Sequence, residues 1–427
     1  MALFICSNCG YGSASWMGRC PDCSQWNTLV EQRQEKSGRS KEKTKPLKLT
    51  SLSKIGTQRK ERIKTEIFEF DRVLGGGIVP GEIILLTGEP GVGKSTLLLQ
   101  TLKNAKTIYI SGEESAEQVK DRAERLKINM NNLLFSGDLQ IEGIIEGIEN
   151  HRDEIDVIVI DSVQTIYSNR LDTAPGSVSQ LKETATQLIT FAKQNKLAVI
   201  LIGHVTKEGS VAGPKTLEHL VDCVLSFEGD KISHHRILRA AKNRFGSTDE
   251  IGIFEMKSGG LHEVNNPLAF LEDTSGTTAG KVIVGVIEGR RPLFFEIQTL
   301  VSSTVFPSPR RVVKGVDFNK VQLLIAVIKK QFNLPLDRFD VYVNVVGGVS
   351  IKSTAADLGI AASLISSIKN IRVPNKTVFI GEVGLLGEIR SVVHEDKIMQ
   401  EARRLKFQSI ISSQRVKSIS DLRKILS

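Results

Sequence analysis

The sequence has no long hydrophobic run. None of its apolar stretches approaches the ~18 residues of a membrane-spanning helix; residues 197–203 (LAVILIG) are among the longest. The chain opens MALFICSNCG, with no basic region ahead of an apolar core, so no secretory signal is expected. No internal repeat of fixed period is visible. Cysteine is scarce beyond residue 23: of five, only Cys223 lies there, in the apolar setting LVDCVLSF, and it reads as a buried thiol. What remains is a 427-residue chain, 40% apolar and 25% charged. That length is a soft prior of about three domains, and that balance excludes a mostly disordered protein. The expectation is a soluble, cytoplasmic, multidomain protein with no membrane partner.

Charge is unevenly spread. Residues 31–64 hold twelve Lys/Arg against four Asp/Glu, a net +8 of the total +9. The basic character therefore belongs to one segment and not to the body of the chain. Such a segment suits nucleic acid or anionic lipid, and equally suits a plain solvated linker. It shows no apolar period and reads as a flexible linker over 31–64.

Ahead of it, Cys6, Cys9, Cys20 and Cys23 follow C-x2-C-x10-C-x2-C. Each C-x-x-C lets two thiolates converge on one ion, and two such knuckles complete a tetrahedral site. Residues 1–30 are too few to build a core, so metal binding would supply the folding energy. The spacing predicts structural Zn2+; the rival reading, two disulfides, conflicts with a reducing cytosol. Four thiolates leave no open position for catalysis.

From about residue 65 short apolar runs (EIILLTG, TIYISG, DVIVIDS, AVILIGH) alternate with amphipathic stretches. That is the pattern of a parallel sheet with crossover helices, assigned to 65–265. A second α/β domain is assigned to 266–427, with strands such as KVIVGVIEG and DVYVNVVGG and helices such as VQLLIAVIKKQF.

The strongest motif is Gly88-Glu89-Pro90-Gly91-Val92-Gly93-Lys94-Ser95, followed by Thr96. It fits G-x-x-x-x-G-K-[ST] between a strand and a helix. Backbone N–H groups of such a loop curl around the β-phosphate, and the helix N-terminus faces the same charge. Lys94 would reach the β- and γ-phosphates, and Ser95 would ligate Mg2+. Asp161 ends the strand DVIVID, where a carboxylate can hold that metal, usually through water. Glu113 and Glu114 follow the strand TIYIS; Glu113 is the candidate base, with Glu114 assisting. The competing reading is that they open the next helix, where acids favour the first turn. His204 ends AVILIGH as a candidate γ-phosphate sensor, though a lone His there is more often structural. Lys207 and Lys215, in the glycine-rich stretch that follows, either touch a phosphate backbone or are simply solvated.

With these residues in view the sequence resembles the bacterial RadA (Sms) family of RecA-like ATPases. The likeness rests on the four-cysteine finger, TGEPGVGKST, ISGEES, IDSVQT, GHVTKEGSVAGPKTLEHLVD and the pentapeptide Lys242-Asn243-Arg244-Phe245-Gly246. It implies a RecA-like core and a hexameric ring with ATP between subunits. Lys242 and Arg244 would reach into the neighbour's site, where cations stabilise the transferring phosphoryl. It also implies that the loop after His204 lines a central channel and contacts single-stranded DNA, with the RecA recombinase as partner. Residues 266–427 resemble the Lon protease domain, a Ser–Lys enzyme. Ala355 falls at the nucleophile position and Asp396, next to Lys397, at the lysine position. Without a hydroxyl or thiol there, acyl-enzyme chemistry has no starting point; Ser350 and Ser353 lie nearby but out of place. Arg310, Arg311 and Lys314 form a small basic cluster that is either a DNA contact or a solvated loop.

The reading is an ATP-hydrolysing motor that binds single-stranded and branched DNA in recombinational repair. Its rivals are an ATP-dependent Lon-type protease and a RecA-like signalling ATPase that binds no DNA.

Overall fold

The computed structural model describes residues 3–6, 11–32, 51, 61–204, 214–229, 234–271 and 278–426. Cys9, Lys207 and most of the 31–64 linker lie outside the described residues. The chain forms two compact units, residues 1–59 and 60–427.

The first unit holds an antiparallel sheet of β1 (Leu3–Cys6), β2 (Gly12–Ser13) and β3 (Leu29–Gln32), in the order β2-β1-β3. Its interior is Cys6, Cys20 and Leu29, with Phe4, Met17 and Cys23 against them.

The second unit begins at the end of the basic segment. Ile63 bridges Ile78, and Arg62 donates to the carbonyls of Leu74, Gly77 and Phe245. Residues 61–64, assigned to the linker on composition, are thus fixed by these bonds. A short helix α1 (Phe68–Val73) follows, then β4 (Ile83–Gly88), α2 (Lys94–Thr101), β5 (Thr107–Ser111), α3 (Ala116–Arg125), β6 (Leu133–Ser136), α4 (Ile141–Asn150), β7 (Val157–Asp161), α5 (Val178–Asn195) and β8 (Ala198–His204). An antiparallel meander completes the sheet: β9 (Cys223–Glu228), β10 (His235–Asn243), β11 (Ile251–Lys257) and β12 (Gly260–Glu263).

The order across these nine strands is β12-β11-β10-β9-β4-β8-β7-β5-β6, and the pairings from β9 to β6 are parallel. The strands read as unbroken apolar runs because both faces are covered. Ile84, Leu86 and Ile200 point into a core shared with Leu97 and Val119; Ile83, Leu85 and Val199 point into another shared with Ile144 and Leu188. This period of two with helices on either face is what a buried parallel sheet requires.

The C-terminal part has a six-stranded mixed sheet. Its strands are β13 (Lys281–Glu288), β14 (Arg291–Ser303), β15 (Arg311–Lys314), β16 (Phe339–Val345), β17 (Thr377–Phe379) and β20 (Ser409–Ile411), with β18 (Glu382–Val383) and β19 (Ile389–Arg390) as a separate hairpin. Helices α6 (Phe318–Phe332), α7 (Asp357–Lys369) and α8 (Glu395–Arg404) share its core, which also takes in Ile237, Ile251 and Ile253 of the meander. Fully buried Glu69 of α1 accepts from the Ile253 amide at 2.8 Å and pairs with Arg72 at 2.7 Å and Arg291 at 3.0 Å. Among the described residues no helix is long and apolar enough to cross a membrane.

Candidate active site

Strand register assembles the site. Gly88 pairs with His204, and Asp161 with Ser111. The last residues of β4, β8, β7 and β5 therefore meet at the carboxyl edge of the parallel sheet, where open α/β sheets bind ligands.

The loop from β4 to α2 is built on glycine. Gly93, the residue before α2, has φ 109°, and a Cβ there would come 2.7 Å from Met256 Cε. Gly88 lies against β9, where a Cβ would collide with the Phe227 carbonyl oxygen. From outside, buried Arg236 donates through Nε to the Val92 carbonyl at 3.1 Å. The loop is thus braced by the meander.

Lys94 is 4% exposed. Its ammonium donates to the Gly88 and Glu89 carbonyls at 2.9 and 3.1 Å and lies 3.2 Å from His204 Nδ1. Burial pushes its pKa down, while the Asp161 and Glu113 carboxylates oppose the shift. The Ser95 hydroxyl donates to Asp161 Oδ2 at 2.8 Å, and the Tyr109 phenol donates to the same oxygen at 2.6 Å. Burial, then the Asp161 carboxylate, push the Tyr109 pKa well above the ordinary phenol value, so Tyr109 is a fixed donor. A hydroxyl beside a nearly buried carboxylate is a hard oxygen pair that fits Mg2+, which binds through one or two such groups plus waters.

The two glutamates part company. Helix α3 starts at Ala116, capped by Ser115 in a capping box with Gln118. Neither Glu113 nor Glu114 is in its first turn. The Ser162 hydroxyl donates to Glu113 Oε1 at 2.6 Å, and His204 Nε2 lies 3.2 Å from Glu113 Oε2 without an aligned hydrogen bond. Glu113, Asp161 and His204 each bring an atom within 4.8 Å of the others. Glu114 turns to Arg122, which grips it with two bonds of 2.6 Å. Sequence reasoning missed Tyr109, Ser162, Arg122 and Arg236. Tyr109 sits inside a strand that reads as apolar, and Arg236 in a strand where a second arginine, a histidine and a lysine leave it undistinguished.

The KNRFG residues lie elsewhere. Lys242 Nζ donates to the Glu218 and Val221 carbonyls at 2.7 and 2.8 Å. Arg244, 55% exposed, donates to Asp222 Oδ1 at 3.2 Å, and the other Asp222 oxygen accepts from the Ile83 amide. Asn243 accepts from the Phe245 amide, and Gly246 packs on Gly75. This group sits at the Ile83 end of β4, whereas the phosphate loop begins at its Gly88 end. Lys215 is exposed on a short 3-10 turn.

In the first unit the Cys6, Cys20 and Cys23 sulfurs lie within 4.8 Å of one another, with Cys6 and Cys23 3.6 Å apart. Thiolates about 2.3 Å from a tetrahedral ion stand about 3.8 Å apart, so the three fit a shared metal. In the C-terminal part Ala355 is buried, and the Ser353 hydroxyl accepts from its amide at 3.3 Å. Asp396 accepts from Gln414, and Lys397 donates to the Arg290 carbonyl. Arg311 donates to the carbonyls of Leu336 and Phe339, and Arg310 lies over the Phe306 ring.

Residues 4–31 match the family described as Rubredoxin metal binding domain, 63–156 the family ATPase: KaiC, and 309–415 the family Subunit ChlI of Mg-chelatase. Among solved structures, the RadB recombinase aligns with TM-score 0.38 and 22% identity, covering 47% of this chain and 99% of that one. The DNA repair protein RadA of Listeria monocytogenes is 46% identical over 95% of this chain and 91% of its own length. That of Halalkalibacterium halodurans is 46% identical over 96% and 91%, and that of Bacillus subtilis 45% over 96% and 91%. The chain is a RecA-like ATPase with an N-terminal metal-binding ribbon, and it belongs to the DNA repair protein RadA family.

Proposed function

We propose that this chain is a DNA-dependent ATP motor of recombinational repair, binding single-stranded DNA and driving branch migration of recombination intermediates. The observation that carries the reading is the convergence of Lys94, Ser95–Asp161, Glu113 and His204 at one sheet edge. Ser95 and Asp161 would hold Mg2+, which when bound would supply charge neutralisation of the phosphates. Lys94 exchanges its loop carbonyls for phosphate oxygens. Glu113, held by Ser162, accepts the proton of the attacking water; Glu114, held by Arg122, fixes the segment that carries it. His204, touching Lys94 and close to Glu113, senses the γ-phosphate and relays it to the chain that follows, where Lys207 and Lys215 contact the DNA backbone.

The position of Lys242 and Arg244 supports action in trans. β4 spans six residues, Ile83–Gly88, roughly 17 Å at ~3.3 Å per residue. An arginine anchored at one end does not reach a phosphate at the other, but it reaches a neighbour's. A ring of subunits, which we take to be six, satisfies that geometry through a heterologous interface. Residues 1–30 bind Zn2+ through Cys6, Cys9, Cys20 and Cys23 and, with the basic segment, meet the RecA recombinase. Residues 65–265 are the motor, 266–427 an inactive protease-like scaffold, and the protein acts in the cytoplasm. A Lon-type peptidase is disfavoured by buried Ala355.

The test is ATP turnover with and without single-stranded DNA across a salt series. Stimulation that fades steeply with salt is expected. A protein monomeric under every nucleotide and DNA condition, with turnover indifferent to DNA, ends the reading.

A further inference from the structure

The chain has two tryptophans, Trp16 and Trp26, and both are in the small first unit. Neither is used to build it: Trp16 is 56% exposed and Trp26 68%. With three buried core residues among those described, the unit has every reason to bury an indole, since each can cover ~150–250 Å². Two large aromatics left together in water mark a surface that is covered when the protein works. They converge on Gly18, where an added Cβ would stand 3.6 Å from Trp16 Cη2 and 3.8 Å from Trp26 Cζ3. Both rings thus come within contact distance of one backbone position. Arg19 is bridged to Trp26 and sets its guanidinium 5.8 Å from the ring centroid.

We propose that the Trp16–Gly18–Trp26 face, with Arg19 at its side, stacks the bases of single-stranded DNA. Flat aromatic faces beside a cation suit nucleobases, because every base has a π-face and stacking tolerates sequence. Charge selects the occupant further. Residues 1–30 carry one cation and one anion, Arg19 and Asp22, while the next 34 residues carry net +8. The stretch of sequence joined to this unit is thus strongly cationic, which favours a polyanion with exposed rings as its partner. This site is independent of the channel contact proposed above and of ATP hydrolysis.

The chain reports on it directly, because tryptophan emission of the full-length protein arises from this face alone. Adding a deoxythymidine oligomer of about 16 nucleotides, the upper end of common site sizes, should quench that emission saturably. An abasic oligomer of equal length, with the same phosphates and no bases, should leave it unchanged. Trp26→Ala should weaken the binding read from the remaining Trp16 by about fivefold to a hundredfold, with cysteine-bound metal content retained as proof of folding. Lys94→Ala should quench like the unaltered protein. Turnover indifferent to DNA, with quenching intact, would remove the motor reading and leave this one standing. Three results overturn it: emission unchanged while anisotropy of a labelled oligomer shows binding, equal quenching by the abasic strand, or quenching by the RecA protein and not by DNA.

Discussion

Arg244→Ala separates action in trans from a structural role. Locally the change is mild. Arg244 is half exposed, and although its 3.2 Å partner Asp222 is buried, solvent at the guanidinium screens the pair, which contributes on the order of 1 kcal/mol. Asp222 retains Lys193 at 3.3 Å and the Ile83 amide at 3.2 Å, so the subunit keeps its fold. Turnover should nevertheless fall by about a thousandfold or more, the usual contribution of a cation at the transferring phosphoryl. Lys94→Ala should be equally inactive for a different reason, loss of the phosphate lysine. In a random equal mixture of the two, an interface is intact when an Arg244→Ala subunit gives the loop and a Lys94→Ala subunit the finger. That holds at about one interface in four for a heterologous ring, so steady-state ATPase should recover to about a quarter of the unmutated rate per mole. Matched melting curves would confirm that both variants are folded. Two inactive proteins that stay inactive when co-assembled would refute the trans assignment.

Tyr109→Phe keeps the buried ring and deletes one donor to Asp161. A hydrogen bond to a carboxylate contributes about 1.5–3 kcal/mol, so the Mg2+ concentration that half-saturates nucleotide binding should rise; an unmoved midpoint by calorimetry would show that the phenol does not position Asp161. Cys6→Ser should strip metal from the first unit, measured by elemental analysis, while the melting transition of residues 60–427 stays put; full metal retention contradicts the site. Glu82→Gln tests a buried acid at the start of β4. Burial pushes Glu82 from 4.5 up to about 7, so between those values the folded chain holds a proton that the unfolded chain has lost. Stability should fall by about 3 kcal/mol as pH rises through that window and stay level above it. The Gln variant should lose this slope in denaturant titrations, and a slope that persists assigns it to another group.

Much of the site could be read from sequence because its parts are local. The phosphate loop is contiguous, Asp161 and His204 each end a strand whose apolar run announces it, and Glu113 follows another such strand by two residues. A parallel sheet then brings strand ends together without further information. What sequence did not reveal depends on register and on side-chain direction. Tyr109 and Ile110 are neighbours in one apolar run, yet only Tyr109 meets Asp161. Glu113 and Glu114 are adjacent and chemically equal; Ser162 and Arg122, distant in sequence, separate them. Ser115 settles the competing helix-start reading, because its capping box fixes the first turn beyond both acids. Arg310 and Arg311 look alike as a basic pair, but Arg311 ties carbonyls together inside its own sheet while Arg310 covers a ring.

In the proposed ring, the two ends of β4 would let one subunit join two nucleotide sites. Asp222 takes the Ile83 amide with one oxygen and Arg244 with the other, so the KNRFG loop is tied to the first residue of the strand whose last residue opens the phosphate loop. Every residue of that strand is buried, and close-packed interiors transmit displacement instead of absorbing it. In the proposed ring, a neighbour's phosphate that pulls on Arg244 pulls on the base of this subunit's own β4. The brace at the far end, Arg236 on the Val92 carbonyl, belongs to β10, the same strand that ends in Lys242 and Asn243. The proposed finger and the phosphate loop are thus joined along two adjacent routes through one sheet, and in the proposed ring communication between sites would need no moving linker.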